Sequence, residues 1–258
     1  MSLMEIEVLF EGTTEENVLR AFSNEVVVTT EKGKPKQIKQ SGKIFDHRLI
    51  LTNVGGKDKM TAALESAIEF SKTDPEITKR IIVWLDLDDK QIVDRCSSII
   101  GVVKKFANNP EFDPLPKRDN VFALRSGPGN LQLVLHIASH KYQKSFNIAT
   151  TDDYVLDLAC REATANGLLG SCRRDDWTIT TDKLIGKIKH EIPDLLQRNG
   201  LPLLPEAKEY VKLYGAVLSL AVSPNFFAAK TLKHANEDDI REVFAALIAA
   251  IEYLESSS

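Results

Sequence analysis

The chain is poor in cysteine, has no long apolar run, and carries no excess of positive charge over its 258 residues. Each shortage excludes a class of protein. Its cysteines, Cys96, Cys160 and Cys172, are widely spaced and odd in number, and no C-x-x-C pair occurs. Neither a disulfide framework nor a cysteine zinc site is expected, and the thiols read as reduced ones in a cytoplasmic protein. The most apolar stretches, Leu213 to Val222 and Phe244 to Ile251, fall well short of the roughly 18 to 20 residues that a spanning helix needs, so no membrane partner is expected. The start of the chain has no basic segment leading into an apolar core, so no signal peptide is expected. A net charge of -4 and a pI of about 5.8 exclude a general polycation, leaving only a local basic patch to meet nucleic acid. The turn Ser126-Gly127-Pro128-Gly129-Asn130 has neither the lysine nor the spacing of a P-loop.

What is present is a globular composition, 43% apolar and 27% charged, which excludes a disordered or collagen-like chain. Ile6 to Phe10 is a branched apolar run bounded by Glu11-Gly12 and predicts a buried strand. Thr13 and Glu16 form a capping-box pattern ahead of Val18, Leu19 and Phe22, which predicts a helix. Glu31 to Lys43 reads as a loop or short ribbon. Its lysines, Lys32, Lys34, Lys36, Lys39 and Lys43, suit either phosphate contacts or a solvated loop, with no aromatic among them for base stacking. Leu49 to Val54 predicts a second strand ending in Gly55-Gly56-Lys57, and Met60, Leu64, Ala67, Ile68 and Phe70 the apolar face of a following helix. Arg80 to Leu87 is near-continuously apolar and suits a central parallel strand covered on both faces. A helix over 90–106, a loop with three prolines over 108–119 and a fourth strand at Val121 to Leu124 follow. Beyond about residue 130, helical periodicity dominates, with helices expected over 130–141, 152–166, 182–198, 206–222 and 237–254. The fold class is therefore α/β: a mostly parallel sheet of about four strands flanked by helices, with a helical C-terminal half.

In such a sheet, chemistry gathers at the carboxyl ends of the strands. Two of these ends are acidic, Phe10-Glu11-Gly12 and Leu85-Asp86-Leu87-Asp88-Asp89. While the chain stays extended, Asp86 and Asp88 point the same way and offer a hard-oxygen pocket for Mg²⁺. Glu11 from another strand adds a third carboxylate or a general acid/base. The competing reading of Asp88, with Gln91 three residues on, is a helix cap. His136 and His140 share one face of the expected 130–141 helix, but HIASH lacks the glutamate of H-E-x-x-H.

The segment VLFEGTTEENVL resembles the first motif of Toprim domains, an apolar strand ending in Glu-Gly before a helix. IIVWLDLDD resembles the second, an apolar strand ending in Asp-x-Asp, and LILTNVGGKDKM the intervening strand and glycine turn of Toprim proteins related to OLD (overcoming lysogenisation defect) nucleases. The likeness covers about 4 to 125 with these motifs, and more faintly Thr150 to Leu156, Lys212 to Leu218 and the closing helix. It implies a Toprim-like, Rossmann-like domain over 4–130, with a helical region over 131–258 packed on it or continuing it. It also implies a Mg²⁺- or Mn²⁺-dependent nuclease or other phosphodiester-transfer enzyme. Asp86 and Asp88 would hold the metal, and Glu11 would share it or move a proton. Asp152 or Asp153 would reach a second metal, although Asp152 stands where a glutamate is common. Lys212, or alternatively Lys57, would stabilise the transition state, and Gly12, Gly55, Gly56 and Lys57 would contact substrate. DNA or RNA is the implied partner, with any ATPase on a separate chain. The competing expectation is a Toprim-fold binding or scaffold module, without catalysis, in a defence or repair complex.

Overall fold

Branched apolar runs build the sheet, and the residues between them set the helices. A computed structural model describes residues 4–29, 36–39, 44–73, 77–125, 127–172, 178–202, 204–218 and 224–256. The elements up to residue 138 are β1 (Glu5–Phe10), α1 (Thr13–Arg20), β2 (Ser23–Thr29), β3 (Lys36–Lys39), β4 (Phe45–Asn53), α2 (Lys57–Thr73), β5 (Lys79–Asp86), α3 (Ile92–Val103), β6 (Phe112–Pro114), β7 (Val121–Leu124) and β8 (Leu131–Ala138). The chain is α/β. Among the described residues the sheet has eight strands in the order β3-β2-β4-β1-β5-β8-β7-β6. β2, β4, β1, β5 and β8 run parallel, while β3, β7 and β6 pair antiparallel at the two margins.

The expected four parallel strands are therefore part of a larger mixed sheet. β1, β4 and β5 stand where the sequence predicts parallel strands, and Ile81 to Leu85 are buried on both faces as a central strand requires. The helix expected over 130–141 is the strand β8, paired in parallel register with β5 from Lys79↔Leu131 to Asp86↔Ala138. LQLVLHIA is a short, almost wholly apolar run, whose periodicity does not separate a buried strand from a buried helix. β7 is antiparallel to β8 rather than parallel, and β6 lies within the proline loop. The lysine loop contributes β3, paired with β2; residues 30–35 and 40–43 lie outside the described residues. The helix N-cap is Gly12 instead of Thr13, and Glu16 pairs with Arg20 one turn on.

The alternation of strand side chains divides the core in two. On one face Leu9, Ile81, Val83, Leu85, Leu133 and Leu135 pack with Leu64 and Ile68 of α2 and Val102 and Val103 of α3. The other face presents Phe10, Ile82, Trp84, Val134 and His136, all fully buried. There Arg80 Nε donates to the Leu254 carbonyl at 3.2 Å, and Phe22 meets Phe244 edge-on with ring centroids 5.5 Å apart.

The chain divides into two compact units, 1–139 with 244–258, and 140–243. The expected boundary at 130/131 is thus corrected at both ends. β8 completes the parallel sheet, and the last helix belongs to the sheet unit. The second unit contains α4 (Thr151–Ala159), α5 (Glu162–Cys172), α6 (Thr181–Gly186), a π-helical turn (Lys187–Glu191), α7 (Ile192–Arg198), α8 (Ala207–Val217), α9 (Pro224–His234) and α10 (Glu237–Val243); α11 (Ala245–Ser256) returns to the sheet unit. Pro193 explains the π turn: it has no N–H to give the carbonyl four residues back, and the Ile192 N–H reaches Lys187 O across the widened turn. Tyr214 anchors the core of this unit, donating to the Ala159 carbonyl at 3.0 Å and stacking edge-on against Phe227.

Close packing of two helices sets one testable limit here. A Cβ on Gly167 of α5 would lie 2.8 Å from Cβ of His234, an atom that no rotamer change can move away. Alanine outranks glycine in a helix by about 1 kcal/mol, but overpacking costs about 1–3 kcal/mol. Gly167→Ala is therefore expected to destabilise, lowering the urea midpoint of unfolding; a raised midpoint would refute the close approach.

Candidate functional site

β4, β1 and β5 are consecutive in the sheet, so the three segments singled out in the sequence come to one edge of it. Phe10 lies in register with Asn53 of β4 and Trp84 of β5. Glu11, one residue further, therefore stands beside Val54 on one side and at the Leu85–Asp86 end of β5 on the other. The Val54 N–H donates to Phe10 O at 2.9 Å and holds the first two ends together. Connections diverge at this edge: β1 leads through α1 to β2 on one side, and β5 through α3 and the β6–β7 hairpin to β8 on the other. That is the topological switch point at which open α/β sheets bind ligands.

Glu11 and Asp86 are both partly buried at these ends. Gly12 caps α1, whose first turn carries Glu15 and Glu16. Beside them Gly55 and Gly56 adopt φ 73° and 127°, a turn that residues with a Cβ rarely make, and the Gly55 N–H donates to Asn53 Oδ1 at 2.9 Å. Lys57 opens α2; its side chain lies outside what the structure describes. Thr29, Thr52, Asn53, Lys59 and Ser66 line a cleft of about 350 Å³ next to this turn.

Asp88 departs from expectation. β5 ends at Asp86, the Leu87 N–H donates to Ala138 O at 3.1 Å, and Asp88 turns left-handed at φ 55°. The alternation that would set Asp86 and Asp88 side by side stops before Asp88 is reached. Its carboxylate instead accepts from Arg95 Nη2, and both side chains are largely buried. Nor does Asp88 cap the next helix: Gln91 is the N-cap of α3, and its N–H donates to Asp94 Oδ2 at 3.3 Å. Arg95 is the residue that sequence reasoning missed, since a helical arginine gives no hint that the chain will turn back to meet it.

Among the described residues no three His, Cys, Asp or Glu side chains converge as a metal-holding group. The two carboxylates on adjacent strand ends, Glu11 and Asp86, still fit magnesium by the chemistry of the donor set. That ion takes hard oxygens, and one or two protein carboxylates suffice when water and phosphate complete the shell.

Asp152, Asp153 and Lys212 stand in the second unit. Asp153 is fully buried and accepts from the N–H groups of Tyr142 and Thr150, each at 2.9 Å, as the third residue of a capping box. Burial pushes its carboxyl above the ordinary range, and the hydrogen bonds from Thr150 and Tyr142 only partly offset this. Both its oxygens have structural work, which corrects its assignment as a metal ligand. Asp153→Ala is expected to cost about 2–3 kcal/mol by orphaning two partly buried donors and removing the capping box. Denaturant titration checks this, and an unchanged midpoint would show that the carboxylate was not needed. Asp152 lies nearly buried in the same first turn, and Lys212 is exposed on α8.

His136 and His140 share no helix. His136 is fully buried in β8, edge-on to Trp84 with ring centroids 5.3 Å apart, and burial pushes its pKa down to about 3. His140 Nε2 lies 3.3 Å from Asp157 Oδ2, and Arg161 Nε lies 3.3 Å from the other oxygen. Burial alone would raise the Asp157 carboxyl, but His140 and Arg161 outweigh it and hold the group below the ordinary range.

Comparison with protein-family models, with curated proteins and with solved structures finds no match for this chain. No helix among the described residues is long and apolar enough to cross a membrane.

Proposed function

We propose that the chain is a Toprim protein of the OLD-like group that acts on nucleic acid as a divalent-metal-dependent nuclease or related phosphodiester-transfer enzyme. The observation that carries this reading is the meeting of Glu11-Gly12, Gly55-Gly56 and Asp86 at adjacent carboxyl ends of β1, β4 and β5, at the switch point of the sheet. Glu11 and Asp86 would hold Mg²⁺ or Mn²⁺, which when bound offsets charge on the phosphodiester oxygens and orients the nucleophile. Glu11 would also move a proton at this edge. The glycine turn lets the backbone come close to a phosphate with no Cβ in the way. The test is cleavage of single- and double-stranded DNA and RNA by the full chain in Mn²⁺ and in Mg²⁺. Absence of cleavage on all four, together with no heat of Mn²⁺ binding, would end the reading.

One observation favours the second reading, a binding or scaffold module of the same fold. Asp88 is paired with Arg95, so one of the three carboxylates that the resemblance assigns to metal has a cation already. In that reading the chain works beside a separate ATPase. A stable ATPase partner in a pull-down from the native host, joined to a chain inert with metal, would favour it.

A further inference from the structure

We infer that Arg95 is the resident counter-cation of the strand-end site: it holds Asp88 until a divalent cation arrives, and then turns to the non-bridging oxygens of a bound phosphate. The inference rests on the metal-site reading above and deepens it by naming how the site passes from one charge state to the other.

Three features of the pair point this way. It sits where β5 ends, two residues past Asp86, with Asp88 turned left-handed and Arg95 in the first turn of α3. It is well shielded, with side-chain exposures of 13% for Arg95 and 17% for Asp88, so the charges meet with little solvent between them. And it is half-made. Arg95 reaches Asp88 through Nη2, while its Nε is buried and meets no acceptor among the described residues. A guanidinium and a carboxylate brought together to brace a fold normally use two parallel N–H···O bonds. A buried donor without an acceptor opposes the arrangement that contains it. A charge pair whose arginine leaves a buried donor unserved is one that another cation can take over. A hard divalent ion prefers a carboxylate oxygen, and the freed guanidinium, a planar fork of donors, matches a phosphate. The competing role is a permanent brace, in which Arg95 supports the fold and nothing exchanges.

The experiment is calorimetry on the full chain. Mn²⁺ is titrated into the wild type, Arg95→Gln, Arg95→Lys and Asp86→Asn, and thymidine 5′-monophosphate is then titrated with and without saturating Mn²⁺. Arg95→Gln is expected to bind Mn²⁺ about 3- to 10-fold more tightly, and the Mn²⁺-loaded variant to lose about 10-fold in affinity for the monophosphate, one charge-assisted contact being worth roughly that factor. Arg95→Lys keeps the charge and loses the fork, so it is expected to follow the wild type for Mn²⁺ and the Gln variant for the monophosphate. Mn²⁺ bound by the wild type but not by Asp86→Asn, with both affinities unchanged in Arg95→Gln, overturns the inference and leaves the site standing. No Mn²⁺ binding to the wild type removes the site and the inference together. If Arg95→Gln does not fold, Arg95→Lys decides: wild-type affinity for the monophosphate overturns the inference.

Discussion

Asp86→Asn, or Glu11→Gln, is expected to lower metal-dependent phosphodiester cleavage by on the order of 100- to 1,000-fold. Each change keeps the shape of the side chain and removes its charge, so packing at the strand ends is preserved while the anionic ligand is lost. Stability is expected to stay near that of the wild type, because both carboxylates stand at strand ends and are only partly buried. Asp88→Asn provides the contrast. Its carboxylate faces Arg95 when no metal is bound, so its loss of activity is expected to be accompanied by a fall in stability that the other two lack. Rates with Mn²⁺, measured beside thermal midpoints, separate these outcomes. Cleavage by Asp86→Asn at the wild-type rate would remove Asp86 from the chemistry.

The second large effect is on stability against pH. His136 is fully buried in β8 and burial pushes its pKa down to about 3, while in an unfolded chain a histidine titrates near 6.5. Between those values the unfolded chain binds a proton that the folded one refuses. Stability is therefore expected to fall as pH drops from about 6.5 toward about 3, by about 1.4 kcal/mol per unit from this group alone, and to fall no further on its account below that. Summed over the window, this is comparable with the whole stability of many domains. His136→Leu keeps the volume near the wild-type value and removes the titrating group. Urea midpoints of the two proteins between pH 7 and pH 4 are expected to converge or cross, with the variant losing less on acidification. Parallel curves would show that His136 takes up its proton without unfolding.

How much of this was legible in the chain differs from element to element. IIVWL is legible as a strand because its branched residues and tryptophan favour the extended chain, and as a covered one because five consecutive apolar residues leave no face for solvent. The glycine pair marks a turn for an equally local reason, positive φ at both residues. LQLVLHIA is legible as apolar and not as a strand. Its conformation is decided by β5, whose far edge needs a parallel partner. The closing helix has an apolar pattern, but only the sheet face carrying Trp84 and His136 explains why it belongs to the sheet unit.

The candidate site divides in the same way. Sequence by itself determined that carboxylates fall at Glu11 and Asp86, because strand ends and glycine turns are local matters of periodicity and backbone freedom. Tertiary structure alone decided that these ends are neighbours, since strand order is set by crossovers between segments remote in the chain. It also decided that Asp88 leaves the alternation for Arg95 and that Asp153 is spent on a helix cap. A carboxylate's role depends on which cation or N–H group the fold brings within about 3 Å of it, and spacing along one segment does not contain that distance.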